Sequence, residues 1–104
     1  MTASVIVTYA VKPECLEEHL GLIGAVFASL DREAVAGVDY QVHRGADCSF
    51  AHVATFAEDG VNPLPALAAF QDFTRDLSAR VVAPPSSWSA AVAASYTAPS
   101  RLRG

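Results

Sequence analysis

Basic residues are scarce in this 104-residue chain: seven Lys and Arg stand against eleven Asp and Glu, for a net charge of −4. None cluster outside Arg101-Leu102-Arg103, so the counterion-displacing footprint of a nucleic-acid binder is missing. Long apolar runs are missing too. No segment approaches the roughly 20 consecutive apolar residues that span a bilayer, and Met1-Thr2-Ala3-Ser4 lacks the charged start of a signal peptide. Cysteine is limited to Cys15 and Cys48, which form no CxxC pair and no disulfide framework, so a reducing cytoplasm is the expected location. The charged fraction is only 17% while the apolar fraction reaches 52%, which excludes intrinsic disorder. So small a chain has little interior for that much apolar residue. Part of it is therefore expected to face a second copy.

What is present divides into short segments. Val5 to Val11 is a β-branched and aromatic run and predicts a first strand. Pro13 suits the first turn of a helix, and Leu16, Leu20, Ile23, Phe27 and Leu30 then recur at spacings of four, three, four and three. With Glu14, Glu17 and Glu18 at the positive end of the dipole, the spacing predicts a helix over Pro13 to Arg32. Val38 to Arg44 and Ser49 to Phe56 read as two strands joined by the turn chemistry of Gly45-Ala46-Asp47-Cys48, and Glu58-Asp59-Gly60 ends the hairpin. Asn62-Pro63 starts a second helix that buries Leu67, Phe70, Phe73 and Leu77 and ends near Arg80. After Pro84-Pro85, Trp88 to Tyr96 predicts a fourth strand.

The order β-α-β-β-α-β is the split βαβ, or ferredoxin-like, arrangement. It predicts an α+β domain over residues 1–98 with a four-stranded antiparallel sheet and two helices on one face, followed by a loose tail at 99–104. The other sheet face is left bare, and a second sheet is the expected cover.

Val7-Thr-Tyr-Ala-Val-Lys-Pro-Glu14, the segments Gly37 to Arg44 and Phe50 to Phe56, and the helices beside them resemble the dimeric α+β barrel superfamily. More narrowly, residues 4–97 are similar to its antibiotic-biosynthesis-monooxygenase-like group. The resemblance implies a homodimer whose sheets face each other as a barrel. Its members include cofactor-free oxygenases acting on polyketide-like quinols and anthrones, haem-degrading enzymes and isomerases. Haem-degrading members use a helix-two histidine as iron ligand, and Phe70 to Leu77 contains none. The cofactor-free oxygenases use an Asn, Trp, Tyr and Arg set; Asn62, Trp88 and Arg44 are of those types, but no role is carried over to them.

Alternation in the hairpin supplies the candidate site. If Gly45 pairs with Cys48, His43 lies opposite Phe50 and Gln41 opposite His52. Val38, Tyr40, Val42, Ala51 and Val53 then pack beneath the helices, while Asp39, Gln41, His43, Phe50, His52 and Phe56 share the other face. A slip of one residue would exchange the two faces. His52 first and His43 second are the candidate proton-moving residues. Tyr9, Asp39, Gln41, Phe50, Phe56 and Trp88 are the candidate substrate-binding residues. Tyr96 is a weaker aromatic candidate. His19, beside two glutamates, reads as solvated, and Arg75 and Arg80 read as cations suited to a helix C-terminus. No metal-ligand spacing and no cofactor motif is present.

The expected function is a homodimer that holds a small hydrophobic or aromatic molecule and acts on it by cofactor-free oxygenation or isomerisation. Two other readings stand beside it: a non-catalytic or stress-associated protein that holds such a ligand, and a structural dimer whose histidines satisfy an interface.

Overall fold

Residues 2–57 and 60–99 are described in the structure, a computed structural model. Strand β1 spans Thr2–Ala10 and runs through a 3-10 turn at Pro13–Cys15 into helix α1, Leu16–Glu33. Strands β2 (Asp39–Arg44) and β3 (Ser49–Ala57) form the expected hairpin. A 3-10 turn at Leu64–Ala66, helices α2 (Ala68–Arg75) and α3 (Leu77–Arg80), and strand β4 (Ser86–Ala91) complete the chain. The sheet order is β2-β3-β1-β4 with every pairing antiparallel. This is the ferredoxin-like arrangement, with the helices on one face. Among the described residues no helix is long and apolar enough to cross a membrane.

Helix α1 overruns its expected end by one residue. It closes at Ala34, which takes a left-handed φ of 48° while its N–H bonds the carbonyls of Leu30 and Asp31. The Val35 N–H returns to the Leu30 carbonyl at 3.2 Å, completing a C-terminal capping loop that usually employs glycine. The second helix is broken where one continuous helix was expected. Asn62 Oδ1 accepts from the Leu64 N–H at 3.1 Å, but Leu67 is extended and Asp76 interrupts the helical path. Pro65 sits in the first turn, where a missing N–H is tolerated, and that turn ends where Leu67 becomes extended. Strand β4 starts two residues earlier than expected and ends five earlier, at Ala91, and residues 92–99 carry no regular structure. Glu58, Asp59 and the tail from Ser100 onward lie outside the described residues.

The hairpin register also departs from expectation, and the site depends on it. Asp47 and Cys48 take φ of 58° and 62°, the signature of a primed hairpin turn that matches strand twist. The Ser49 N–H bonds the Ala46 carbonyl at 3.1 Å and the Gly45 N–H bonds the Ser49 carbonyl at 2.9 Å. Gly45 and Ala46 thus both oppose Ser49, a one-residue bulge. Val42 consequently pairs with His52, and Arg44 with Phe50. Phe50, His52, Ala54 and Phe56 turn toward the helices with Tyr40 and Val42, while Ala51 and Val53 join Asp39, Gln41 and His43 on the bare face. The expected division of β3 is therefore inverted.

The core lies between sheet and helices. Val26 of α1 and Phe73 of α2 pack with Tyr9, Phe50, Val11, Leu67 and Val81. Backbone bonds from Lys12 N–H to the Arg80 carbonyl (2.8 Å) and from Val82 N–H to the Ala10 carbonyl (3.0 Å) fasten the end of α3 beside the end of β1. That fastening places Arg80 in the interior.

Candidate functional site

Five polar side chains from five different elements meet in this core. Arg80 Nε donates to His19 Nδ1 at 3.1 Å. His19 Nε2 lies 2.7 Å from the Tyr9 hydroxyl, which lies 2.5 Å from His52 Nε2. His52 Nδ1 lies 2.6 Å from the Tyr40 hydroxyl. The Arg80 guanidinium also donates to the Phe73 carbonyl at 2.5 Å and sits over the Phe73 ring at 5.4 Å. His19 is 0% exposed, Arg80 3% and His52 6%. Aromatic packing holds the rings in place: Tyr9 stacks on Phe50 at 5.7 Å, and Tyr40 stacks on Phe27 at 5.1 Å.

The direction of these bonds follows from chemistry. Arginine can only donate, so His19 Nδ1 accepts, and a neutral His19 carries its proton on Nε2. That proton goes to the Tyr9 oxygen. Tyr9 then donates to His52 Nε2, and His52 carries its own proton on Nδ1, directed at Tyr40. The reverse tautomer of His52 would point two N–H groups at the Tyr9 oxygen and leave the buried Tyr9 proton without an acceptor. Such an orphan costs about 1–3 kcal/mol, so the first arrangement prevails. Burial pushes His19 down to about 4, with the Arg80 charge adding to it. His52 is also lowered to about 4, by burial and then by His19. Burial raises Tyr40, and it raises Tyr9 as well, with Tyr40 adding and Arg80 opposing. Both imidazoles are neutral and both phenols keep their protons near neutral pH.

The Tyr40 end of the chain meets a cavity of about 130 Å³ between the sheet and α2. Val5, Val7, Leu64, Phe70 and Phe73 are among its apolar walls, and Tyr9, Tyr40, His52, Asn62 and Thr74 supply polar groups. A larger recess of about 610 Å³ near the hairpin end is lined by Tyr9, His43, Arg44, Phe50 and Pro84. It is wider but more open to solvent. The small cavity is the better candidate because His52 and Tyr40, the outer part of the chain, form its wall.

The structure divides the expected site residues. His52, Tyr9 and Phe50 come together beneath the helices, although Phe50 backs Tyr9 and does not line the cavity. His43 is exposed on the other face, 3.2 Å from Gln41 Oε1, and does not join His52. Asp39 and Phe56 line a separate recess with Val35 and Val38. Trp88 pairs across from Ile6 on the bare face and is 56% exposed, away from the cavity mouth. Tyr96 is exposed. Among the described residues no group of three His, Cys, Asp or Glu is placed to hold a metal ion.

Three site members escaped the sequence reading. His19 is buried where solvation was expected, and Arg80 reaches inward where a solvated helix-end cation was expected. Tyr40 stands beneath the helices as expected but serves as more than packing. The signals were present in the spacing. His19 lies three residues after Leu16 and seven before Val26, on the apolar stripe of α1. Arg80 lies seven residues after Phe73, two turns on in the continuous helix that the sequence predicts.

No protein-family model matches the sequence, and no curated protein does. Solved structures match it closely in shape. A protein of unknown function from Nitrosomonas europaea, NE2512, shares 12% identity at a TM-score of 0.73, over 95% of this chain and 96% of that one. A candidate antibiotic biosynthesis monooxygenase from Caulobacter crescentus shares 15% at 0.69, over 88% and 90%. SnoaB, a cofactor-independent oxygenase from Streptomyces nogalater crystallised as a mutant, shares 14% at 0.67, over 90% and 95%. With this topology and these likenesses, the chain has a ferredoxin-like fold, and it shares that fold with these solved structures.

Proposed function

We propose that the protein binds a small aromatic metabolite in the cavity between sheet and α2 and acts on it as a cofactor-free oxygenase or isomerase. One observation carries this reading: a buried chain of alternating tyrosine and histidine ends at the wall of an apolar cavity. Apolar side chains would fill this core at lower cost than two imidazoles and a guanidinium, which it accommodates only by bonding their buried polar atoms. The likeness in fold to SnoaB, an oxygenase that uses no cofactor, supports the same reading.

His52 acts indirectly in this proposal. Both its ring nitrogens are engaged by tyrosine hydroxyls, so although its ring lines the cavity its polar atoms reach a ligand only through Tyr40. In an oxygenation, an activated ring CH₂ loses a proton to solvent, its carbanion adds to dioxygen, and the peroxide anion formed takes a proton back. Loss of water from the resulting hydroperoxide leaves a ring C=O. Each substrate takes up one O₂ and releases one H₂O, and dioxygen is the oxidant. The test is dissolved-oxygen uptake with a panel of quinols, anthrones and flavonols. Uptake should require the protein and collapse in His52→Ala. Intact turnover by that variant would remove His52 from the mechanism.

The full engagement of His52 favours a second reading, in which the cavity holds its ligand unchanged. Recovery of unmodified ligand from the protein, with no oxygen consumed, would select it.

We further propose that two copies pair through the bare sheet face, where Ile6, Ala51, Val53 and Trp88 are left without a covering helix.

A further inference from the structure

Arg80 is a buried cation with no acidic partner among the described residues. The salt bridges among the described residues are Arg32–Glu33 and Arg75–Asp72, both at the surface. Arg80 is instead satisfied by a carbonyl, an aromatic face and His19. A buried charge without a counter-charge is costly, and its field is carried toward the cavity by four successive hydrogen bonds that all point the same way. At the far end, the Tyr40 oxygen accepts from His52, and its own O–H has no acceptor among the described residues. The chain therefore presents to the cavity one polarised donor with a cation behind it.

The cavity agrees in sign and size. None of the described residues lining it is acidic, so none of them repels negative charge. Its volume of about 130 Å³ is close to that of the roughly 150 Å³ engineered cavity that accepts benzene.

We propose that this cavity takes a single-ring phenol or enol as its oxyanion, bonded by the Tyr40 hydroxyl, and that Arg80 is the positioning residue that fixes the direction of the chain. The inference rests on the reading of this cavity as the ligand site and adds the charge state and size of the ligand. An oxyanion conjugated with a ring is also the electron-rich form that reacts with dioxygen or migrates a double bond. The chain would thus favour the reactive form of the substrate over its neutral parent.

The probe is 4-nitrophenol, a single ring whose anion alone is yellow, titrated with the full-length protein across pH. The bound probe should ionise about one pH unit or more below the free probe, a tenfold preference for the anion. Nitrobenzene, which lacks the hydroxyl, should bind about tenfold more weakly. Arg80→Gln removes the charge and lets the chain reverse, so most of the ionisation shift should vanish even where the probe still binds. If that variant does not fold, Tyr40→Phe, at a half-buried position, should abolish the shift and keep the cavity. Binding of the neutral phenol, binding with no change in ionisation, a tricyclic phenol binding tenfold tighter, or no binding at all would each overturn the inference. Oxygen uptake without an ionisation shift would overturn this inference and leave the oxygenase reading. A shift without turnover would do the opposite.

Discussion

Arg80 Nε donates to His19 Nδ1 at 3.1 Å across 61 positions of sequence, and this contact sets the direction of every hydrogen bond from there to Tyr40. It also ties the end of α3 to the first turns of α1 through the interior. Its loss is expected to be felt as stability before it is felt as activity. His19→Ala empties a fully buried position and leaves the Arg80 N–H and the Tyr9 hydroxyl each short of a partner. The expected loss is about 3 kcal/mol, measured by urea unfolding. Glu18→Gln, on the exposed side of the same turn, should stay within about 0.5 kcal/mol. Equal effects would place His19 at the surface.

Acid should weaken the fold through the same histidines. His19 and His52 are held neutral in the folded state, both lowered to about 4. An unfolded histidine titrates near 6.5. Between those values the unfolded chain binds more protons than the folded one, so stability is fully present above about pH 6.5 and declines as pH falls toward 4. The loss is on the order of 3 kcal/mol for each histidine. Carboxylates titrate in the same range, so the informative quantity is a difference. His52→Gln should flatten the decline between pH 6.5 and 4 relative to the parent chain, and an unchanged slope would exclude His52 as its source.

The two tyrosines should not be equivalent. Tyr9→Phe interrupts the chain at its middle and strands His19 Nε2–H and the His52 Nε2 lone pair together. Tyr40→Phe strands only His52 Nδ1–H, at a half-buried position. Tyr9→Phe should therefore cost about 2–4 kcal/mol and Tyr40→Phe about 1 kcal/mol. Thermal or urea denaturation of the two variants provides the ranking. A larger loss at Tyr40 would contradict the placement of Tyr9 between two imidazoles in the middle of the chain.

The architecture was legible because its signals are periodic. The β-branched runs and the stripe from Leu16 to Leu30 each repeat with the period of one element, and their order allows few topologies. The site was less legible, because strand faces depend on a single residue at a turn. Asp47 and Cys48 adopt left-handed conformations that the sequence does not demand of a cysteine, and the resulting bulge moves His52 to the opposite side. Asp39, Gln41 and His43 were grouped with it through that register. His19 and Arg80 were misplaced for another reason. Their charge type and local neighbours suggested solvent, whereas their spacing from Leu16 and Phe73 placed them inward. Spacing was the stronger guide in both cases.

The bare sheet face gives the last prediction. Trp88 lies across from Ile6 there, and Trp88 is more than half exposed, an unusual position for a large aromatic with no partner. If two copies meet through this face, the particle should have twice the monomer mass and a thermal midpoint that falls on dilution. Trp88→Glu places one like charge from each copy at the interface, and should yield a monomer in sizing with light scattering. The cavity lies on the other side of the sheet, so the Trp88→Glu monomer should still bind 4-nitrophenol within about threefold of the parent, a difference of less than 1 kcal/mol. Loss of binding with loss of pairing would mean that the second copy shapes the cavity. A parent chain that is monomeric at every concentration would leave the exposed Trp88 to a different partner.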